Sequence, residues 1–352
     1  MVNYLKQKFV SRSRGITTLI VVIALFGLLL VAMDWEEMRL VLIQADWKPL
    51  TGAIFFTAVS YICVSYAFAF VGKILGIQMG QHEMAEVGFV STIINHVLTS
   101  GGVVGYSVRI LLMRMYGVKT KDVLAASILH FYLTSLDMLL MLPVAILLLM
   151  LNASVARGVA VILGLMTVLG ALVFILASAI IFIPSIRKPL IDFLVRVGSS
   201  ILRKDLRPTL ENYDVTLSRG AQAIQKQPLM LILIMVFTWV DFISSILVLG
   251  FCFDALGPPV RFDILLSGFV IGVMAGVLSM IPGGIGVQES SMAGVFLLLG
   301  ISFSQAVLAA ILFRVIFFLL PYFVSLGFYR RIYRKAERSA QKTQKGSVPC
   351  EF

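Results

Sequence analysis

The 352 residues are 59% hydrophobic and only 13% charged, with a mean hydropathy of +0.99. A soluble domain of this length does not carry that balance, so the chain reads as an integral membrane protein. The net charge of +11 does not mark a nucleic-acid binder, because Lys and Arg gather in the gaps between apolar runs; the three cysteines, Cys63, Cys252 and Cys350, are too few and too scattered for a disulfide framework or a metal site.

In chain order, Lys6, Lys8, Arg12 and Arg14 precede an apolar run over 16–33. That run is too long for a signal-peptide core and no small-residue cleavage site follows it, so it is predicted to be a retained first span. Residues 34–48 alternate Trp35, Met38, Leu42 and Trp47 with acidic residues, the pattern of a helix lying at the membrane interface. Further full spans are predicted at about 49–72, 123–150, 156–183, 228–253 and 304–329, six in all. The segment 185–227 carries eight basic residues and two apolar helical faces, one through Ile186, Leu190, Phe193, Leu194, Val197 and Ile201 and one through Leu206, Leu210, Tyr213, Leu217, Ala221 and Ile224. Two amphipathic helices on an anionic cytoplasmic leaflet fit it, and 43 residues are too few for a separate catalytic core.

Two apolar segments contain breaks that an ordinary span would not have. Within 264–299 the run Pro282-Gly283-Gly284-Ile285-Gly286 cannot continue a helix, and Glu289 follows in the restarted one. Within 83–116 the run Ser100-Gly101-Gly102-Val103-Val104-Gly105 does the same, followed by Arg109 and Arg114. At 1.5 Å per residue, a half-helix of 17 residues reaches roughly 25 Å and one of 11 to 13 under about 20 Å, short of a hydrocarbon core about 30 Å thick. Each segment is therefore expected to enter and leave on one side as a re-entrant helical hairpin. With a cytoplasmic N-terminus and two such hairpins, 24 of the 29 Lys and Arg residues fall on the cytoplasmic face, four outside and Arg314 within the membrane, the expected positive-inside bias. The similarity of Gly117-Val118…Val123-Leu124-Ala125-Ala126 to Gly300-Ile301…Val307-Leu308-Ala309-Ala310, with opposite inferred orientations, predicts an inverted-topology repeat: about 49–150 and 228–329, joined by the linker 185–227 and followed by a basic tail over 330–352, all in one membrane domain.

Backbone released at membrane depth must line protein or a water-filled cavity, and a restarted helix presents bare amides with the positive dipole end to it. An anion is the expected occupant. Ionisable residues at this depth each need a reason. Glu289 either satisfies amides as a capping glutamate does or meets a cationic headgroup or proton. Arg314 pairs with Asp241 or Glu289, or with a lipid phosphate. His96 and His130 bond a neighbouring helix or face the substrate, Asp137 and Asp241 serve ion pairing or proton relay, and Arg109 and Arg114 grip a headgroup or anchor the hairpin. Gly101, Gly102, Gly105, Arg109, His130, Pro282, Gly283, Gly284, Gly286, Glu289 and Arg314 form the predicted substrate site, and Asp137 and Asp241 the predicted coupling pair. No nucleotide loop, zinc-protease motif, nucleophile elbow or Asp-rich pair occurs, so no enzyme, cofactor or metal is expected.

The motifs Gly101-Gly102-x-x-Gly105-x-x-x-Arg109 and Pro282-Gly283-Gly284-Ile285-Gly286-x-x-Glu289, followed by a span with Arg314, resemble the lysylphosphatidylglycerol synthase transmembrane-region family, also called flippase-like or YbhN-like, over about 15–330. The resemblance implies a bacterial or archaeal plasma-membrane protein that moves lipids or modified headgroups between leaflets. The family's founding members continue into an aminoacyltransferase domain, where this chain has a short basic tail, so lipid aminoacylation is not expected. The reading is an all-α polytopic lipid translocator with cytoplasmic termini, acting on an anionic phospholipid or modified lipid. Its rivals are a proton- or ion-coupled small-solute transporter and a membrane scaffold for a lipid-synthesis enzyme.

Overall fold

A computed structural model describes residues 35–98, 103–152, 157–202, 207–279 and 281–345. The predicted first span and the glycine pair Gly101-Gly102 lie outside the described residues. Those described are helical throughout, with no strand among them. An interfacial-length helix α1 (Trp35–Gln44) leads into α2 (Leu50–Ile74), and the first interrupted segment becomes α3 (Gln81–Leu98) and α4 (Val103–Arg114). Then follow α5 (Thr120–Asn152), α6 (Arg157–Phe182), α7 (Pro184–Leu202), α8 (Arg207–Lys226) and α9 (Pro228–Leu256). The second interrupted segment forms α10 (Phe262–Leu278), a tight turn over Pro282–Gly284 and α11 (Val287–Leu298). The chain continues as α12 (Phe303–Arg314), one wide π turn over Val315–Leu319, and α13 (Leu320–Lys345).

Four of these are long and apolar enough to cross a membrane: Leu50–Ile74, Thr120–Leu151, Pro228–Leu256 and the continuous stretch Phe303–Arg334. The predicted span at 156–183 coincides with the 26-residue helix α6, whose part Thr167–Phe182 forms with Pro184–Val197 a pair bent by 95°. Arg187 holds that bend. Its Nη1 donates to the Ile181 carbonyl at 2.7 Å and the Ile180 carbonyl at 3.2 Å, and the guanidinium pairs with Asp214 and Ser218 of α8. A helix end leaves its last carbonyls without partners; here a buried arginine from the next helix supplies the donors. The linker thus forms the two expected helices. Ala221 of α8 is buried against the bundle, Leu190 is half-buried, and Ile186, Phe193, Leu194 and Val197 of α7 remain exposed.

Both interrupted segments fold back on themselves. In the second, Gly268 faces Phe296, Gly272 faces Met292 and Gly276 faces Gln288, an antiparallel register in which a Cβ at Gly272 would stand 2.2 Å from Met292 Cγ. Glycines at one-turn spacing let the two half-helices approach this closely. In the first, Gly105 packs on Asn95, and Arg109 of α4 bonds Ser91 of α3, again antiparallel. Each hairpin ends alike. Gly117 and Gly300 adopt φ of 78° and 87°, and the amides of Val118 and Ile301 bond back to the carbonyls of Met113 and Phe296 at 3.2 and 3.0 Å. These are two copies of one left-handed helix stop that only glycine takes without strain.

Helices α2 and α9 form the antiparallel centre, with Phe56 stacked on Phe251 and Ser60 hydrogen-bonded to Asp241. The hairpins exchange partners around it. The first helix of the first hairpin packs on α13, through Phe89–Phe328 and the Glu86–Arg331 ion pair at 3.3 Å. The first helix of the second packs on α5, where Ser267 donates to the Ala145 carbonyl at 3.0 Å. Two buried apolar clusters result, one around the second hairpin and including Phe253, Phe269, Phe296 and Phe313, the other around the first and including Phe68, Met84 and Leu112.

Candidate functional site

Where the tips of the two hairpins meet the central pair lies a cavity of about 340 Å³, within the size range of small-ligand sites. Helix α2 contributes Ser60 and Tyr61, α3 contributes Ser91, Thr92, Asn95 and His96, and α4 contributes Gly105, Tyr106 and Arg109. His130 comes from α5, Asp241 and Ser245 from α9, and Gly283, Gly284 and Gln288 from the second break.

Arg109 is the centre of its chemistry. The side chain is 5% exposed, with Nε donating to Ser91 Oγ at 2.8 Å and Nη2 to Thr92 Oγ1 at 3.4 Å, and its guanidinium lies 4.1 Å from the centre of the Phe68 ring. Among the described residues no carboxylate pairs with it. Two hydroxyls and an aromatic face orient the cation without neutralising it. Arg109, one of the 24 cations counted to the cytoplasmic face, is buried in the cavity wall. Beside it, His130 Nε2 lies 3.1 Å from the Val64 carbonyl; that acceptor requires the proton on Nε2.

Arg314 differs from Arg109 in having a carboxylate partner. It forms an ion pair with Glu289, donates Nη1–H to the Gly283 carbonyl at 3.0 Å, and lies 5.2 Å from the Phe318 ring. The ion pair is a close approach of charges and not an aligned hydrogen bond, since Nε and Nη2 have no acceptor in line. Glu289 also accepts the Gly286 amide at 2.7 Å. This is the glutamate half of a capping box, because glycine has no side chain to return the favour. One carboxylate therefore neutralises Arg314, caps the restarted helix and ties α11 to α12. Neither residue lines the cavity.

The second break is built from left-handed backbone: Gly283, Gly284 and Gly286 have φ of 63°, 62° and 83°. A Cβ at Gly284 would come within 3.1 Å of Gly276 Cα. The expected cradle of free amides is partly filled by the protein itself, because the Gly284 amide bonds the Ile281 carbonyl at 2.8 Å and the Gly286 amide bonds Glu289. The chain supplies its own anion at this helix start. The anion-seeking group left in the cavity is a side chain, Arg109.

Of the predicted site residues, Gly105, Arg109, His130, Gly283, Gly284 and Asp241 come together around the cavity. Gly286, Glu289 and Arg314 stand behind its wall, joined to one another and to Gly283. Asp137 is buried outside it, with Oδ1 lacking a hydrogen-bond partner. In the polar stripe Ser91, Thr92, Asn95 and His96, only His96 was weighed beforehand, as bonding a neighbouring helix or facing the substrate; the other three were not predicted. The stripe's spacing, two adjacent pairs one helical turn apart on an otherwise apolar run, is the signal that marks one polar face. Tyr61 was also missed; its hydroxyl donates to the Phe317 carbonyl at 2.9 Å and lies 3.1 Å from His96 Nδ1. Phe317 belongs to the π turn, a widening that recurs at functional sites.

No curated protein matches the chain. The family model described as the lysylphosphatidylglycerol synthase TM region matches residues 16–325, a stretch that includes both hairpins and every residue of the cavity. The chain belongs to the lysylphosphatidylglycerol synthase transmembrane-region family.

Proposed function

We propose that the protein is a lipid translocator, with the phosphate of a membrane lipid held at Arg109 in the cavity while the acyl chains stay in the bilayer. The observation that carries this reading is a buried guanidinium without a carboxylate partner, in a cavity between two broken helices. Burying an uncompensated charge costs several kcal/mol, and a phosphodiester entering the cavity offsets that cost with charge-assisted hydrogen bonds. Membership of a membrane-lipid family supports a lipid over a soluble anion.

The two hairpins are read as re-entrant, one from each face, and the halves 49–150 and 228–329 as an inverted repeat. The matched glycine stops, the exchanged hairpin partners and the central Ser60–Asp241 contact support this. Equivalent hairpins on opposite sides of one cavity suit alternating access about a fixed midplane site. The basic ends at Lys73, Lys226 and Arg330 are assigned to the cytoplasm of a plasma membrane by the positive-inside rule. The work is read as transport without chemistry.

Reconstitution in liposomes with a headgroup-labelled phospholipid tests the idea. Arg109→Gln is expected to slow leaflet exchange at least tenfold while the protein stays folded in the same vesicles. Wild-type exchange no faster than that of protein-free liposomes, or full exchange by Arg109→Gln, would reject it. Asp241 in the cavity wall favours one second reading, coupling to protons or ions. Solute uptake driven by a pH gradient, with no lipid exchange, would select that reading.

A further inference from the structure

Tyr61 stands on the wall of two spaces. On one side is the polar cavity; on the other is an apolar groove of about 550 Å³ between α2, α3 and α13. The groove runs along α2 from Ile54 to Tyr66, with Ala85 and Phe89 of α3 and Leu320, Val324 and Phe328 of α13 as its other walls. The twelve helical rises between Ile54 and Tyr66 make it roughly 18 Å long. Its lip residues Ile54, Ile62, Leu320 and Val324 are exposed, as they must be to meet the hydrocarbon. Polar groups gather at one end, where His82 Nδ1 lies 2.7 Å from the Tyr66 hydroxyl and Glu86 pairs with Arg331. A long, narrow apolar channel with a polar end matches the shape of one acyl chain.

The partition between the spaces is thin and latched. The Tyr61 ring is 2% exposed and packs edge-on to Phe89 at 5.6 Å and against Phe317 at 5.2 Å. Its hydroxyl proton is committed to the Phe317 carbonyl, so its oxygen accepts from His96 Nδ1–H. That fixes the His96 tautomer and joins α2, α3 and the π turn at one point. Rotation of this one side chain would connect a headgroup space to an acyl-chain space.

We propose that the groove seats an acyl chain of the lipid whose headgroup occupies the cavity, with Tyr61 as the movable partition between them. The proposal rests on the lipid-translocator reading. Proteoliposomes containing phosphatidylglycerol with a diazirine midway along one acyl chain test it, with adducts mapped by peptide mass spectrometry. Adducts are expected on segments 54–66, 82–89 and 320–328 at least fivefold above those on the lipid-facing segment 161–176. Ile62→Trp and Val324→Trp fill the lip at exposed positions and are expected to cut that labelling at least threefold; Ile232→Trp, equally exposed on α9, leaves it unchanged. Tyr61→Phe keeps the ring, frees the latch and is expected to add adducts on 130–138, beside the cavity. Even labelling of all lipid-facing helices, or indifference to both lip variants, overturns the groove, and an unaltered pattern in Tyr61→Phe overturns the partition. Groove labelling without leaflet exchange would instead retire the translocator reading and leave a lipid seat.

Discussion

Two arginines, Arg109 and Arg314, lie among the packed helices, and their surroundings differ. Arg314 is neutralised by Glu289. Breaking a buried pair from one side strands a charge and costs roughly 3–5 kcal/mol. Glu289→Gln should therefore lower stability by about that range, since it also removes the Gly286 cap; chemical denaturation in detergent micelles measures it. Glu289→Gln combined with Arg314→Met should cost less than the two single changes added together, because neither charge is then left alone. Arg109 has no such partner, so Arg109→Gln should leave stability unchanged or raise it while leaflet exchange falls. Arg109→Lys should restore little, because a point charge cannot hold both hydroxyls and a phosphate in the planar fork of a guanidinium. Nothing in the spacing of residues distinguished these arginines: Glu289 is 25 positions from Arg314, and only folding decides which cation it meets.

At the scale of elements, the hairpins depend on glycine for two separate reasons. Gly268, Gly272 and Gly276 allow close approach, whereas Gly283, Gly284 and Gly286 allow left-handed backbone. Gly284→Ala meets both obstacles, a φ of 62° and a contact of 3.1 Å with backbone, and should cost about 1–3 kcal/mol. Gly294, in the same hairpin, has open space where a Cβ would go. Gly294→Ala should be neutral or stabilising by up to about 1 kcal/mol through helix propensity. Comparing the two unfolding midpoints separates strain at the break from general sensitivity of the hairpin. The breaks themselves were legible, because proline and clustered glycine act on their own backbone. The 95° bend at the end of α6 was not, because Arg187 builds it with partners on α8, 27 and 31 residues away.

For the whole molecule, the decisive question is where the loops emerge. If both interrupted segments are re-entrant, Pro259 and Leu298 flank the second hairpin on one face, and Gln78 and Lys119 flank the first on the other. All four are exposed. In a cysteine-free background, Pro259→Cys and Leu298→Cys should react with a membrane-impermeant maleimide in intact cells, and Gln78→Cys and Lys119→Cys only after permeabilisation. A split within either pair means that segment crosses the bilayer, and the inverted repeat falls with it.

The amino-acid sequence alone determined what local chemistry controls: an apolar all-helical chain, two helices that must break, and basic residues gathered between the apolar runs. Hydropathy, missing amide donors and glycine's backbone freedom need no distant partner to act. Tertiary structure decided which charges are neutralised, which amides remain free and which helices enclose the cavity. Each of those depends on atoms brought together from positions tens to nearly two hundred residues apart, as Ser60 and Asp241 are. The carboxylate at the second helix start is the protein's own, and so the proposed anion seat rests on Arg109 rather than on bare amides.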